Sequence, residues 1–418
     1  MLISFKVKNF LSIENEIFID FRASGSKQLP KNLQKYKKSH ILKSIGIYGP
    51  NASGKSNIIK AFHFVWELTK FSHSYNLDSK IRPTQFKLST KRVDEPSRFE
   101  LTFTKNGYTY EYGFSCLNSK IVDEYLYRWD DSYKKPRKST IFIRRNSNEF
   151  DFKTDKSRQE LIRSQVPENV LYLSRSTALN YEKVRDVYEF ITSDLVITFN
   201  NPWNAWGNYT KIAIATKKDI RDKIVEIMQR SDFGGIDDLS VEKHKGKSIG
   251  FHADFSNNEP KIDTTPIVDS EVYVTKFTHK DSNGRKVAFE EFEESAGTLK
   301  MFSMLGPILD ILENGKMLII DELESSLHPN VAEFVVKLFH SKLNKKNAQL
   351  LFVSHNTNLL NRGILRRDQI LITQRKPNEG TRIYPLSNFN LREGIDFERA
   401  YLNGRVGGIP FIDESILE

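Results

Sequence analysis

The chain has 418 residues, 39% of them apolar and 28% charged, with a formal net charge of +10. These proportions suit a globular protein with a buried core, and no run of about eighteen apolar residues is present to span a bilayer. The single cysteine, Cys116, excludes an internal disulfide and any cysteine cluster for zinc or iron–sulfur.

Residues 1–8 alternate apolar and polar side chains like a half-buried strand. They lack the unbroken apolar stretch of a signal peptide, so a cytoplasmic protein is expected. Ile3, Phe5 and Val7, then Ile17, Ile19 and Phe21, predict two strands. Basic residues crowd positions 27–43 and 134–145, a density that suits either nucleic-acid phosphates or solvated loops. A short strand at 45–48 runs into a glycine loop, after which Ile58, Ile59, Phe62, Val65 and Trp66 share a helical face. Phe99, Leu101 and Phe103 lead through Asn106-Gly107 to Tyr108, Tyr110 and Tyr112, a hairpin pattern.

Positions 156–230 read as mostly helical, with Val184, Val187, Tyr188 and Ile191 on one face and Ile220, Ile224, Ile227 and Met228 on another. An inserted helical lid is expected there, without the sustained heptads of a coiled-coil arm. Strands return near 271–292 around Asn283-Gly284. Leu299, Phe302, Leu305, Leu309 and Leu312 then stripe one helix, and Val331, Phe334, Val335, Leu338 and Phe339 a second. Short apolar strands at 317–320 and 350–353 alternate with them, which indicates an α/β fold with a parallel sheet covered on both faces. The expected division is 1–115, 116–270 and 271–418.

Gly49-Pro50-Asn51-Ala52-Ser53-Gly54-Lys55-Ser56 matches the P-loop pattern between a strand and a helix, with Asn57 following. Its glycines let backbone N–H groups approach phosphates, and the helix N-terminus adds its positive end. Lys55 is expected to reach the β- and γ-phosphates of ATP, and Ser56 to ligand Mg²⁺. Asp321-Glu322 follows the apolar strand at 317–320; Asp321 then serves Mg²⁺ through water, and Glu322 acts as general base. The next strand delivers Ser354-His355, and His355 is expected to sense the γ-phosphate as a neutral imidazole. Ser295 and Gly297, just before the helix starting near 299, make a second, lysine-free phosphate-binding end. Two such ends in one chain suggest a head-to-tail homodimer sandwiching ATP.

The segments GPNASGKSN, ESAGTLK, MLIIDELESSLHP and LLFVSHN, in that order, resemble the ABC-type ATPase heads of SMC, RecF-like and OLD proteins. The resemblance implies a mostly parallel P-loop core, an antiparallel β subdomain and an inserted lid. It also implies a D-loop at 325–328, with Ser325 contacting nucleotide, and a Q-loop glutamine at Mg²⁺ for which Gln85 is the candidate. Residues 366–370 and 401–410 look like stand-alone ATPases of bacterial abortive-infection and anti-phage systems (RloA- and AbiLi-like, and the PARIS ATPase subunit). That subgroup implies an ATP-driven switch, a homodimer or larger homo-oligomer, and a separate nuclease or toxin as effector. The 63 residues after His355 are too few for the TOPRIM nuclease of OLD proteins, so such an effector is expected on another polypeptide. A RecF- or SMC-like DNA-repair ATPase is the alternative. The glycines at 404, 407 and 408 allow tight turns, either against a partner or back on the sheet.

Overall fold

The computed structural model describes residues 1–409 except 91, 134, 200–202, 231–234, 249–250, 255–260, 265–267, 326 and 393; at 247–248, 251–254, 261–264 and 268–270 it describes backbone alone. Ser326 of the expected D-loop, Lys134 of the second basic run and Pro410 of the tail therefore lie outside the described residues. The chain forms two compact units: Met1–Asn200 with Ile311–Ser325 and Pro329–Glu418, and Asn201–Asp310 with Ser326–His328.

The first unit opens with β1 (Leu2–Lys8) and β2 (Ile17–Asp20), a hairpin of β3 (Leu33–Tyr36) and β4 (Ser39–Leu42), then β5 (Ser44–Tyr48) and α1 (Lys55–Phe71). β6 (Ser97–Lys105), β7 (Tyr108–Cys116), β8 (Ile121–Asp130), β9 (Lys138–Arg145) and β10 (Glu149–Phe152) follow. They complete an antiparallel sheet in the order β10-β9-β8-β7-β6-β1-β2. Asn106 and Gly107 both take positive φ, 50° and 80°, between Lys105 and its strand partner Tyr108. This is the tight turn expected of an Asn-Gly pair. Three short helices, α2 (Lys156–Arg163), α3 (Tyr172–Ala178) and α4 (Arg185–Glu189), pack on this sheet, with Tyr172, Val184 and Val187 in its core. The buried Glu124 on β8 anchors them by accepting the backbone N–H groups of Tyr172 and Leu173 at 2.7 and 2.9 Å.

The chain then enters β11 (Leu195–Thr198). The second unit holds α5 (Trp203–Thr216), α6 (Lys218–Arg230), β12 (Ile236–Ser248), β13 (Phe251–Asp254), β14 (Lys261–Thr264), β15 (Val268–Lys280) and β16 (Lys286–Glu290). β12, β15 and β16 pair antiparallel. α6 turns Ile220, Ile224 and Met228 inward, and Phe277 on β15 meets Phe302 edge-on at 5.3 Å. Phe302 lies on α7 (Ala296–Asn314), which leads back to the first unit.

There, β17 (Met317–Ile320), α8 (Pro329–His340), β18 (Gln349–Val353), β19 (Ile370–Gln374), β20 (Arg382–Pro385) and α9 (Phe397–Leu402) finish the fold. The central sheet has the order β11-β17-β18-β5-β19-β20 and is parallel except for β20. β5, β17 and β18 are buried along their whole length, which explains why their sequences are nearly all apolar. Gln349, one of the polar exceptions, joins the two sheets: its amide accepts from the Leu2 N–H at 2.6 Å and donates to the Leu2 carbonyl at 2.9 Å.

The structure draws the insertion more narrowly than 116–270. β8–β10 continue the antiparallel sheet, α2–α4 fill its core, and β11 is a strand of the parallel sheet. The inserted unit starts near 201 and carries strands as well as helices. Helical periodicity across 156–230 could not reveal that its first half shares a core with the preceding strands.

Candidate functional site

Parallel strands deliver their C-terminal ends to one edge of a sheet, where open α/β folds place their ligands. Here β5 ends in the glycine loop, β17 in Asp321-Glu322, β18 in Ser354-His355 and β19 in Arg375. All four endings line one cavity of about 420 Å³, together with Asn51, Ala52, Gly54, Ser56 and Asn57 around Lys55. Arg375 was not foreseen. The signal was available in principle, as a cation directly after an apolar strand, but the strand itself went unrecognised.

The loop is built for close backbone approach. Ala52 and Gly54 have φ of 60° and 97°. A side chain at Gly54 would meet the Thr381 hydroxyl at 2.0 Å, and one at Gly49 the Thr373 hydroxyl at 2.1 Å. The Thr381 hydroxyl donates to the Ser53 carbonyl at 2.9 Å and contacts the Ser12 hydroxyl at 2.7 Å. Ser53 in turn is buried against Thr373 at 2.7 Å. Asn57 donates to the Ser12 hydroxyl at 2.8 Å, so its side chain braces the loop.

Lys55 donates to the carbonyls of Gly49 and Pro50 at 2.8 and 2.9 Å. Burial lowers its pKa, opposed by Asp321, Glu324 and Glu322. Burial and the Lys55 charge likewise lower the pKa of His355, favouring neutral imidazole near pH 7, against the pull of the same three acids. The Asp321 Oδ1 atom is buried with no hydrogen-bond partner among the described residues, which leaves its lone pairs open for a cation or a cation-bound water. Glu322 is exposed and holds φ at 51°, a left-handed conformation that costs an ordinary residue roughly 1 kcal/mol. Two contacts fasten the acidic turn to the histidine turn. The Leu323 N–H donates to the Val353 carbonyl at 3.1 Å, and Glu324 Oε1 accepts the His355 N–H at 2.5 Å.

The remaining expected site residues lie elsewhere. Ser325 is half-buried and donates its N–H to the Glu322 carbonyl at 2.8 Å, closing the acidic turn. Gln85 is half-buried in the segment beside Leu11, whose N–H donates to the Thr84 carbonyl, and it does not line the cavity. Its expected place at Mg²⁺ therefore finds no support in this geometry. Ser295 and Gly297 are exposed at the start of α7 in the second unit, where the Ser295 hydroxyl caps the helix by accepting the Thr298 N–H at 3.1 Å. Glu294, just before it, is held by His279 at 2.5 Å.

The tail packs back on its own sheet. Tyr401 on α9 donates to the Gly408 carbonyl at 2.7 Å and meets the Tyr48 ring edge-on, centroids 6.4 Å apart. Gly407 and Gly408 have φ of 66° and 75°, and a side chain on Gly408 would strike Ile372 on β19 at 2.6 Å.

Residues 44–361 match the family described as "AAA domain, putative AbiEii toxin, Type IV TA system". No curated protein matches the chain significantly. Among solved structures, an SMC head bound to the C-terminal winged-helix domain of ScpA is 13% identical, with a TM-score of 0.43, over 93% of this chain and 98% of that one. The SMC head of Thermotoga maritima is 14% identical with a TM-score of 0.41, over 92% and 98%. An SMC head with an extended coiled coil from Pyrococcus furiosus is also 14% identical, with a TM-score of 0.39, over 93% and 97%. At those values the structural likeness carries no argument about function. The family match, by contrast, spans well over half of the chain and takes in the glycine loop, the acidic turn and His355, and the protein belongs to this AAA-domain family of P-loop ATPases.

Proposed function

We propose that the protein binds ATP with Mg²⁺ and hydrolyses it at the cavity beneath the glycine loop. The convergence of Lys55, Asp321, Glu322 and His355 on that cavity, from three strands far apart in sequence, carries the reading. Lys55 would leave the Gly49 and Pro50 carbonyls for the β- and γ-phosphates, while the first N–H groups of α1 cradle them. Ser56, with the open Oδ1 of Asp321, would hold Mg²⁺, which supplies charge neutralisation at the phosphate oxygens. Glu322, exposed in the cavity, would take the proton of the attacking water, and neutral His355 would donate to the γ-phosphate. Phosphate release from ATP by the purified chain, dependent on Mg²⁺ and lost in Lys55→Ala, tests this; Mg²⁺-independent or Lys55-independent release would overturn it.

Ser295 and Gly297 of a second copy would complete each site, so ATP should close a homodimer on which larger assemblies can build. In the cell, this closure would act as a switch on a separate effector, a nuclease or another toxin, within an anti-phage system. The motif resemblance and the toxin–antitoxin setting in the family's description support that role. Such a switch works only through differential affinity, so ATP and effector must affect each other's binding reciprocally. Phage resistance should require this gene, its neighbouring effector gene and an intact Lys55. Resistance from this gene alone would overturn the two-part system. The net charge of +10 favours a second reading, a DNA-sensing or DNA-repair ATPase. Stimulation of hydrolysis by DNA would select it.

A further inference from the structure

Glu324 lies two residues beyond Glu322 on the turn after β17, and it is bound differently from its neighbour. Glu322 projects into the open cavity, whereas Glu324 turns to the adjacent strand ending and accepts the His355 N–H at 2.5 Å. Its other oxygen, Oε2, is buried with no hydrogen-bond partner among the described residues. A carboxylate oxygen buried without a partner is costly to keep, because an unmade hydrogen bond to a charged group forfeits solvation that water would supply.

The rest of the loop is already tied. The Ser354 N–H donates to the Ile47 carbonyl at 3.1 Å, and the Asn356 N–H to the Ser354 hydroxyl at 2.9 Å. His355 is the one residue of the three whose backbone N–H is held from the acidic turn. Its backbone position sets where the imidazole stands at the cavity rim.

We propose that Glu324 is a positioning residue that holds His355 in register with Glu322, so that the γ-phosphate contact and the base are set by one rigid connection between β17 and β18. The proposal rests on the ATPase reading above. Placement errors of about 1 Å at a reacting centre can cost on the order of 100-fold in rate. Glu324→Ala should therefore lower kcat by about 10–100-fold while leaving the Kd for Mg²⁺-ATP within about threefold, because its hydrogen bond is to the His355 backbone and the glycine loop with Lys55 stays in place. Glu324→Gln keeps an oxygen acceptor for the His355 N–H and should recover most of that loss, unlike Glu322→Gln.

The deciding measurement is a double-mutant cycle on the purified full-length chain, with phosphate release and ATP binding measured separately. If Glu324 acts through His355, then Glu324→Ala costs nothing further in a His355→Ala background. An equal loss in both backgrounds, or a weakened ATP Kd, would show a general structural defect and overturn the proposal. So would a Glu324→Gln chain as slow as Glu322→Gln, since that would make the charge itself essential. A wild-type chain that releases no phosphate would sink the ATPase reading and this proposal together. An active wild type with additive losses would sink this proposal alone.

Discussion

The Lys55 ammonium sits 2.8 Å from the Gly49 carbonyl, so the loop that is to receive phosphates holds its own lysine until they arrive. Nucleotide binding must exchange that contact, and the one to Pro50, for phosphate oxygens. Lys55→Ala removes a charged hydrogen bond worth about 1.5–3 kcal/mol, or roughly 10–150-fold in affinity. Titration calorimetry with Mg²⁺-ATP should show this weakening, with little change in melting temperature. Unchanged affinity would remove Lys55 from the phosphate site.

Glu322 combines an exposed carboxylate with a strained backbone, φ 51°. Glu322→Gln should keep ATP binding and slow hydrolysis by about 100-fold or more, trapping the ATP-bound state. Glu322→Asn should be equally inactive yet no less stable than wild type, because asparagine tolerates left-handed backbone better. Wild-type turnover by either variant would displace Glu322 as the base.

A composite site makes a prediction that a self-contained one does not. Lys55→Ala and Ser295→Arg should each abolish turnover alone, one by losing its phosphate contact and the other by blocking the start of α7. Mixing the two chains should restore measurable phosphate release, because one of the two sites in a mixed dimer is intact. Full activity of Ser295→Arg alone would refute the sandwich.

His340 gives a prediction about acid stability. It is buried at the end of α8, 2.8 Å from the Ser44 hydroxyl, and burial lowers its pKa from 6.5 to about 3, with Lys43 and Lys31 adding to the effect. The folded protein therefore keeps His340 neutral while the unfolded chain takes up a proton below pH 6.5. Its contribution to stability is whole above that pH and declines as pH falls toward about 3, by about 1.4 kcal/mol per pH unit within the window. Urea midpoints measured across pH 4–7 should fall less steeply in His340→Gln than in wild type. Parallel slopes would mean that other groups govern the acid limb.

The parts of the site legible in the sequence are those where a short run of residues has its own backbone reason. A glycine loop between strand and helix, and acids or a histidine after an all-apolar strand, need no knowledge of distant neighbours. Glu324 was illegible because its role depends on what stands across the sheet edge, whereas Arg375 is missed together with the short strand it follows. Arg366 shows the same limit from the other side. The segment 366–370 carried a family resemblance, yet its physical role is a buried staple: the Arg366 guanidinium pairs with Asp368 and reaches the carbonyls of Ser26 and Gln28. Gln369 meanwhile joins Asn32 to Ser44. Partners more than 300 positions away leave no periodicity to read. The insertion boundary was missed for a related reason, since α2–α4 carry the same helical pattern whether they cover a sheet or form a separate unit.

The strand order has a consequence for how the protein is made. β5, which carries the glycine loop, pairs on one side with β18 and on the other with β19. Both partners are translated some 300 residues later, so during synthesis the strand has two open edges for most of the chain's emergence from the ribosome. Pairings of such long sequence separation form slowly, and an unpaired apolar strand is a site for aggregation meanwhile. The antiparallel sheet, built mainly from consecutive hairpins, can form first. Nucleotide-binding competence should therefore arrive late and abruptly, when residue 374 clears the exit tunnel, rather than growing with chain length.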